Sequence, residues 1–261
     1  MSETKAFLSG VAIVSTLFVF GSQSAGAADL PVYTKAPPPV VAPVYDWTGL
    51  YVGGHAGYGW ATDKNTAVTP NPTFPAGFQF NDVNVGGGLG GVQGGFNYQI
   101  ARWVLGIEGE FSWTNATGSS TTFSPLILGD RTIDSNKIDW VATAAGRVGY
   151  TWNNWLGYVK GGGAWAQANG GSNLFDPAGT NITGHPNKTG QLSGWLIGVG
   201  LEYGFWNNWS VKLEYDYLDF GTRRDTSIDK TFGLVELRDH SDTAQMVKIG
   251  VNYRFDFGRP R

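Results

Sequence analysis

Trp103-Val104-Leu105-Gly106-Ile107-Glu108-Gly109-Glu110-Phe111-Ser112-Trp113 is two sequences interleaved. Its odd positions, Trp103, Leu105, Ile107, Gly109, Phe111 and Trp113, carry no charge. Its even positions carry Glu108 and Glu110. A period of two is the signature of a β-strand, in which successive side chains leave opposite faces. The same split recurs twice. Trp195, Ile197, Val199, Leu201, Tyr203 and Phe205 oppose Glu202, and Val247, Ile249, Val251, Tyr253, Phe255 and Phe257 oppose Lys248 and Arg254. A soluble barrel would turn the apolar face inward. A transmembrane barrel reverses it, with lipid outside and polar groups within.

Eight such segments follow Trp47, at about 48–60, 88–100, 103–113, 138–150, 155–165, 194–205, 209–218 and 245–257. Most approach the roughly 9–11 residues that a tilted strand needs to cross a bilayer. Their connections alternate between short turns (at 99–102, 151–154 and 206–208) and long stretches rich in Thr, Ser, Asn, Gly and Asp. Short turns on one side and long polar loops on the other are the pattern of outer-membrane barrels. The sequence therefore predicts an all-β fold, an eight-stranded antiparallel up-and-down transmembrane barrel. An even strand count returns both ends to the short-turn side, the periplasm. Two turns are near copies, Trp152-Asn153-Asn154-Trp155 and Trp206-Asn207-Asn208-Trp209. Asn tolerates the positive φ of tight hairpins. With Trp103, the four Trp residues are expected to form an aromatic girdle at headgroup level.

Turning the apolar parity outward assigns the other strands. Strand one shows lipid Leu50, Val52, Ala56, Tyr58 and Trp60. Strand two shows Val92, Phe96, Tyr98 and Ile100, with Gln93, Asn97 and Gln99 inside. Strand four shows Ile138, Trp140, Ala142, Val148 and Tyr150. Strand five shows Trp155, Val159 and Trp165, and strand seven Trp209, Val211, Leu213, Tyr215 and Tyr217. The lumen then receives Glu108, Glu110, Asp139, Glu202, Glu214 and Asp216, balanced by Arg147, Lys160, Lys212, Lys248 and Arg254. No charge falls on the lipid parity, where Lys or Arg would cost about 2–4 kcal/mol at mid-bilayer. Glu108, Arg147, Lys160, Glu202, Lys212, Glu214 and Arg254 lie at similar heights above the short turns. They are expected to form one ion-paired layer, with Glu202 beside Lys212, in an interior just wide enough for side chains.

Composition and termini agree with export. The chain has 261 residues, a formal net charge of −3, 39 Gly and no Cys. Without Cys there are no disulfides, thiolate metal sites or Cys catalysis. The charge balance does not suggest a nucleic-acid partner. Lys5, an apolar run from Phe7 to Phe20, and Ala25-Gly26-Ala27 read as a signal peptide over 1–27. Residues 28–46 read as a Pro-rich periplasmic linker, with Pro31, Pro37, Pro38, Pro39 and Pro43 favouring polyproline II. The barrel is expected over 47–257, with 258–261 as a C-terminal tail.

Trp47-Thr48-Gly49-Leu50-Tyr51-Val52-Gly53-Gly54, Gly90-Gly91-Val92-Gln93-Gly94-Gly95-Phe96-Asn97-Tyr98, Gly106-Ile107-Glu108-Gly109-Glu110, Arg147-Val148-Gly149-Tyr150, Gly200-Leu201-Glu202-Tyr203 and Gly250-Val251-Asn252-Tyr253-Arg254-Phe255 stand in order along the chain. With Ala27-Ala28-Asp29-Leu30-Pro31, they resemble the alphaproteobacterial outer-membrane immunogenic protein family, small porin-like barrels of rhizobia and brucellae. The resemblance covers nearly all of the mature chain except the long loops. It implies an abundant surface antigen of the Gram-negative cell envelope, inserted by the barrel-assembly machinery from a signal at Phe255 or Phe257. The tail Gly258-Arg259-Pro260-Arg261 departs from the usual aromatic end.

Three functions compete at this stage. A structural envelope barrel would meet outer-membrane lipids, with Arg223, Arg224 and Arg238 as candidates for lipopolysaccharide phosphates; a small porin is its conducting variant. A surface binder or adhesin would use the long loops. The family resemblance allows hemin, for which His185 and His240 are the loop candidates. An enzyme would need a His beside a carboxylate at the outer face, and the only strand His is His55, on the lumenal parity. The expectation is a structural barrel with no catalytic, cofactor or metal site, and an oligomeric state open from sequence.

Overall fold

The computed structural model describes residues 45–70, 74–184, 188–228 and 235–255. The expected signal peptide, the linker up to residue 44, His185, Phe257 and the 258–261 tail lie outside the described residues. Ten strands occur among them: β1 (Gly49–Ala67), β2 (Val83–Ile100), β3 (Trp103–Thr114), β4 (Thr117–Phe123), β5 (Arg131–Trp152), β6 (Trp155–Phe175), β7 (Asn181–Gly184), β8 (Lys188–Trp206), β9 (Trp209–Ile228) and β10 (Val235–Phe255). All pairings are antiparallel. Eight strands form a ring in the order β1, β2, β3, β5, β6, β8, β9, β10, closed by β10 on β1 from Leu50↔Phe255 to Ala67↔Arg238. Closure leaves no free edge between the first and last strands.

The strand count differs from eight because β4 and β7 form in the long connections, paired to β5 and β6. Several strands also outrun their predicted ends. β5 has 22 residues and begins at Arg131, where the alternation indicated a start near 138. The cause is physical. Backbone pairing continues above the apolar band, but there the outer face meets water, so the apolar/polar contrast that marked the strand fades.

One face assignment is overturned. The ladder between β5 and β6 slips between Ile138 and Trp140, leaving Asp139 as a bulged residue. An extra residue reverses the parity above it. Ile138 was expected on lipid but packs on the buried lumenal cluster, and Thr132 and Asp134, on the same parity, are buried too. Asp139 was expected in the lumenal charge set. It stays partly exposed and pairs with Lys137 at 2.7 Å.

The outer face otherwise follows the period of two. Leu105, Ile107, Val159, Ile197, Val199, Leu213, Ile249 and Val251 are exposed, as are Trp103, Trp152, Trp155, Trp206 and Trp209 near the short turns. The two Trp-Asn-Asn-Trp turns differ in backbone. Asn153 takes φ 54°, and in the first hairpin of the ring Ala101 does the same. In the second copy the ladder slips between Gly204 and Trp206, and neither Asn207 nor Asn208 needs positive φ. A bulge there supplies the twist that positive φ supplies at Asn153.

Candidate functional site in the barrel lumen

Four layers stack inside the ring. At the short-turn end, Tyr45 and Trp47 fold into the mouth and pack with Val104, Leu156 and Tyr158. The Trp47 amide donates to Gln99 Oε1 at 2.9 Å, and the Tyr45 amide to Asn154 Oδ1 at 3.3 Å. Room for Tyr45 comes from Gly204, where a Cβ would lie 2.3 Å from the phenol ring. Arg254 belongs to this layer and not to the expected charge layer. Its guanidinium donates to the carbonyls of Thr48 and Asn207 and lies 5.3 Å from the Tyr45 ring centre. Tyr45 had been read as linker. The same odd parity that places Tyr51 and His55 inside runs down through Trp47 to Tyr45, a signal present in the sequence.

The charge layer comes next. Arg147 donates to Asn97 at 2.9 Å and reaches Glu108 at 3.3 Å and Glu202 at 3.5 Å, its guanidinium sandwiched between the rings of Tyr51 and Tyr158 at 4.7 and 5.0 Å. Lys212 contacts Glu108 at 3.3 Å, Glu110 at 2.8 Å and Glu214 at 3.3 Å. Lys160 reaches Glu214 at 2.7 Å, Glu110 at 3.0 Å and Asp216 at 3.2 Å. Lys248 pairs with Glu110, with Asp216 at 2.7 Å and with Glu214 at 2.8 Å. The hydroxyls of Tyr51 and Tyr158 donate to Glu108 and Glu214 at 2.7 and 2.6 Å.

Glu202 faces Lys212 in register, as expected, but their charged ends part. Glu202 turns to Arg147, Ser210 and Asn252, while Lys212 crosses the lumen. A strand neighbour is fixed by backbone; a long side chain seeks the deepest opposite charge. Oxygens of Glu108, Glu110 and Glu214 converge closely enough to hold a metal ion. The Lys212 ammonium contacts all three and takes that place.

His55 sits at this height with Nδ1 on Gln93 Oε1 at 2.7 Å and Nε2 on Ser112 Oγ at 2.8 Å. Both ring nitrogens are engaged by neutral groups.

Above the charges lies an apolar layer. Leu218 stands two residues above Asp216, and Met246 two above Lys248. They pack with Leu89, Val141, Ala164, Ala166, Leu192 and Leu196, all buried. Most of these positions share the lumenal parity, so alternation marks this layer too.

The fourth layer is a cavity of about 440 Å³ toward the long loops. The three loop arginines divide here. Arg224 is exposed and forms a two-bond pair with Asp239 at 2.7 and 2.8 Å. Arg223 and Arg238 line the cavity. Arg238 is mostly covered and stacks on Phe80 at 4.3 Å. It is thus turned away from the outer surface on which a lipopolysaccharide contact was expected. His240, one of the two hemin candidates, lies on β10 and not on a loop, so His55 is not the only strand histidine; it lines the same cavity 3.4 Å from Asp63.

An apolar exterior around a lumen of buried charge defines a transmembrane β-barrel. The chain belongs to the outer-membrane immunogenic protein family of such barrels: the model of the outer membrane protein beta-barrel domain matches residues 15–255, and the 31 kDa outer-membrane immunogenic protein of Brucella melitensis biotype 1 is 34% identical over 251 residues, covering 93% of this chain and 98% of that one. A 22 kDa outer membrane protein of Rhizobium leguminosarum bv. viciae is 27% identical over 220 residues, covering 82% of this chain and 81% of that one. Among solved structures, the outer membrane protein OprG from Pseudomonas aeruginosa matches 81% of this chain and 99% of its own at 11% identity and TM-score 0.48. The chain is an outer-membrane protein of Gram-negative type.

Proposed function

We propose that this barrel is a structural, surface-exposed component of the cell envelope whose lumen is closed to ion flow. The observation that carries this reading is the charge layer: Arg147, Lys160, Lys212 and Lys248 interlock with Glu108, Glu110, Glu202, Glu214 and Asp216, drawn from β3, β5, β6, β8, β9 and β10. Opening a path would separate ions from their partners in a low-dielectric interior, where losing one partner costs about 3–5 kcal/mol. The Tyr45–Trp47 layer below and the Leu218–Met246 layer above add two further obstructions. Both ring nitrogens of His55 are taken by Gln93 and Ser112, whereas His240 on β10 does face Asp63 at 3.4 Å, so the non-enzymatic reading rests on the charge layer and not on the histidines.

In this reading the short turns and both termini face the periplasm, the long loops face outward, and the Trp103, Trp152, Trp155, Trp206 and Trp209 rings lie at the inner headgroup level. Outer-membrane lipids surround the apolar face. Arg224, paired with Asp239, and Arg223 at the cavity are exposed and are the cations proposed to meet lipopolysaccharide phosphates. Planar-bilayer recording tests the closed barrel. Purified protein is expected to insert without conductance steps; large, steady steps from the monomer would overturn the reading.

A further inference from the structure

The cavity at the long-loop end is built, and its chemistry is uneven. It exists because two strands part. The β8–β9 ladder stops at Trp195↔Asp219; above it β8 pairs with β6 and β9 with β10. There Gly190 and Leu192 line the cavity beside Phe220 and Arg223, and a Cβ on Gly190 would lie 3.2 Å from the Arg223 guanidinium. The floor is apolar, made by Ala61, Val85, Ile138, Leu192 and Ala244 over the buried leucine layer. Its size falls within the roughly 300–1,000 Å³ of small-molecule sites, which join apolar walls to a few placed polar groups.

The charged groups on the wall are Asp63 from β1, Asp134 from β5, Arg223 from β9, and Arg238, His240 and Asp242 from β10. The cations are engaged. Arg238 stacks on Phe80 and lies 4.0 Å from Asp134, and His240 faces Asp63 at 3.4 Å. Asp63 also accepts from Asn136 Nδ2 at 2.8 Å. Three buried atoms on this wall have no hydrogen-bonding partner, Asp63 Oδ1, Asn65 Oδ1 and Asp134 Oδ2. Their residues are only 7%, 4% and 6% exposed. All three are acceptors. A buried acceptor without a donor costs about 1–3 kcal/mol, and a ligand that brings donors recovers it.

We propose that this cavity binds a small organic cation with an apolar body, an aryl- or branched-alkyl amine. Its ammonium donates to Asp134 Oδ2 and Asn65 Oδ1 once those side chains turn toward the cavity, and its body lies over Val85, Ile138 and Leu192. The site stands apart from the charge layer, so it survives or fails independently of whether the barrel conducts.

Isothermal titration calorimetry on the purified barrel in zwitterionic detergent tests this, with phenethylamine as probe and hydrocinnamate, the same ring on a carboxylate, as its counterpart. Protein-free micelles supply the partition baseline. Phenethylamine is expected to saturate one site, and hydrocinnamate to show none. Asp134→Asn and Asn65→Ala should each weaken the amine at least about tenfold, with heat-modifiable gel migration showing that the variants are folded. Equal or tighter hydrocinnamate binding overturns the proposal, since the cations would then be the recognising groups. So does amine binding unchanged in Asp134→Asn, no saturation by phenethylamine, or saturation by calcium chloride alone.

Discussion

Glu110, in the lower lumen, meets three ammoniums, those of Lys160, Lys212 and Lys248. Asp134, in the upper lumen, is nearly as buried, yet Arg238 stands 4.0 Å away and one carboxylate oxygen has no donor. The difference follows from width. Around Glu110 all eight strands are laddered, so side chains from opposite walls touch. Around Asp134 the β8–β9 ladder has ended and the walls stand apart. A barrel of fixed strand number can thus be a packed core at one height and a receptacle at another. Charge in the lower half contributes to stability, whereas charge in the upper half is available to a ligand.

The largest expected effect comes from breaking the lower half. Arg147→Ala leaves Glu108 and Glu202 short of a buried cation and empties the space between Tyr51 and Tyr158. A loss of about 3–5 kcal/mol is expected, read as an early loss of heat-modifiable migration in detergent. An unaltered melting curve would remove the layer from any structural account. Overpacking should cost somewhat less. A Cβ at Gly200 would stand 2.3 Å from the Tyr158 ring, so Gly200→Ala is expected to lose about 1–3 kcal/mol in the same assay.

The matching substitution above the apolar layer should behave oppositely. Asp134→Asn removes a charge that burial makes costly, so stability should hold or rise by up to about 1 kcal/mol. A loss as large as that of Arg147→Ala would erase the contrast between the two halves. Amine affinity should fall on acidification. Burial, opposed by Ser172 and Arg238, holds the Asp134 carboxyl above its ordinary range, so it takes up a proton earlier than a free Asp. The other charged or titratable groups facing this site are Asp63, Asp242, His240, Arg223 and Arg238. Calorimetric titrations across the carboxylate and histidine ranges check this; affinity that rises in acid would contradict it. The smallest effect belongs to Arg224→Ala. That exposed guanidinium holds Asp239 below its usual carboxylate range. Its contribution is therefore present above the ordinary Asp range and fades as pH falls through the lowered value. Screening by water keeps it small, and melting at neutral pH should not move measurably.

The lower half was legible because a period of two sorts side chains onto faces without knowledge of neighbours. Glu108, Glu110, Arg147, Lys160, Lys212, Glu214, Asp216 and Lys248 could be put inside on parity alone. Partner choice could not. Register brings Glu202 to Lys212, and only the crossing of long side chains sends one to Arg147 and the other to Glu110. The upper half was hidden for two reasons. Outside the apolar band the strands lose their contrast, so Thr62 to Ala67 and Arg131 to Lys137 read as loop. The bulge at Asp139 reversed the parity there, turning Ile138 inward against expectation and, with it, Asp134.

Alternation, turn spacing and the segregation of charge determined by themselves that this chain makes a transmembrane β-barrel and which side chains its lower lumen holds. Those features are local, set by bond geometry along one strand and by the cost of a charge in lipid. The tertiary structure alone decided where the strands part, which charges pair across the lumen, and that Tyr45 and Trp47 turn into the mouth. Those outcomes depend on distances between strands remote in sequence, and closure of the ring at β1 and β10 is what fixes them.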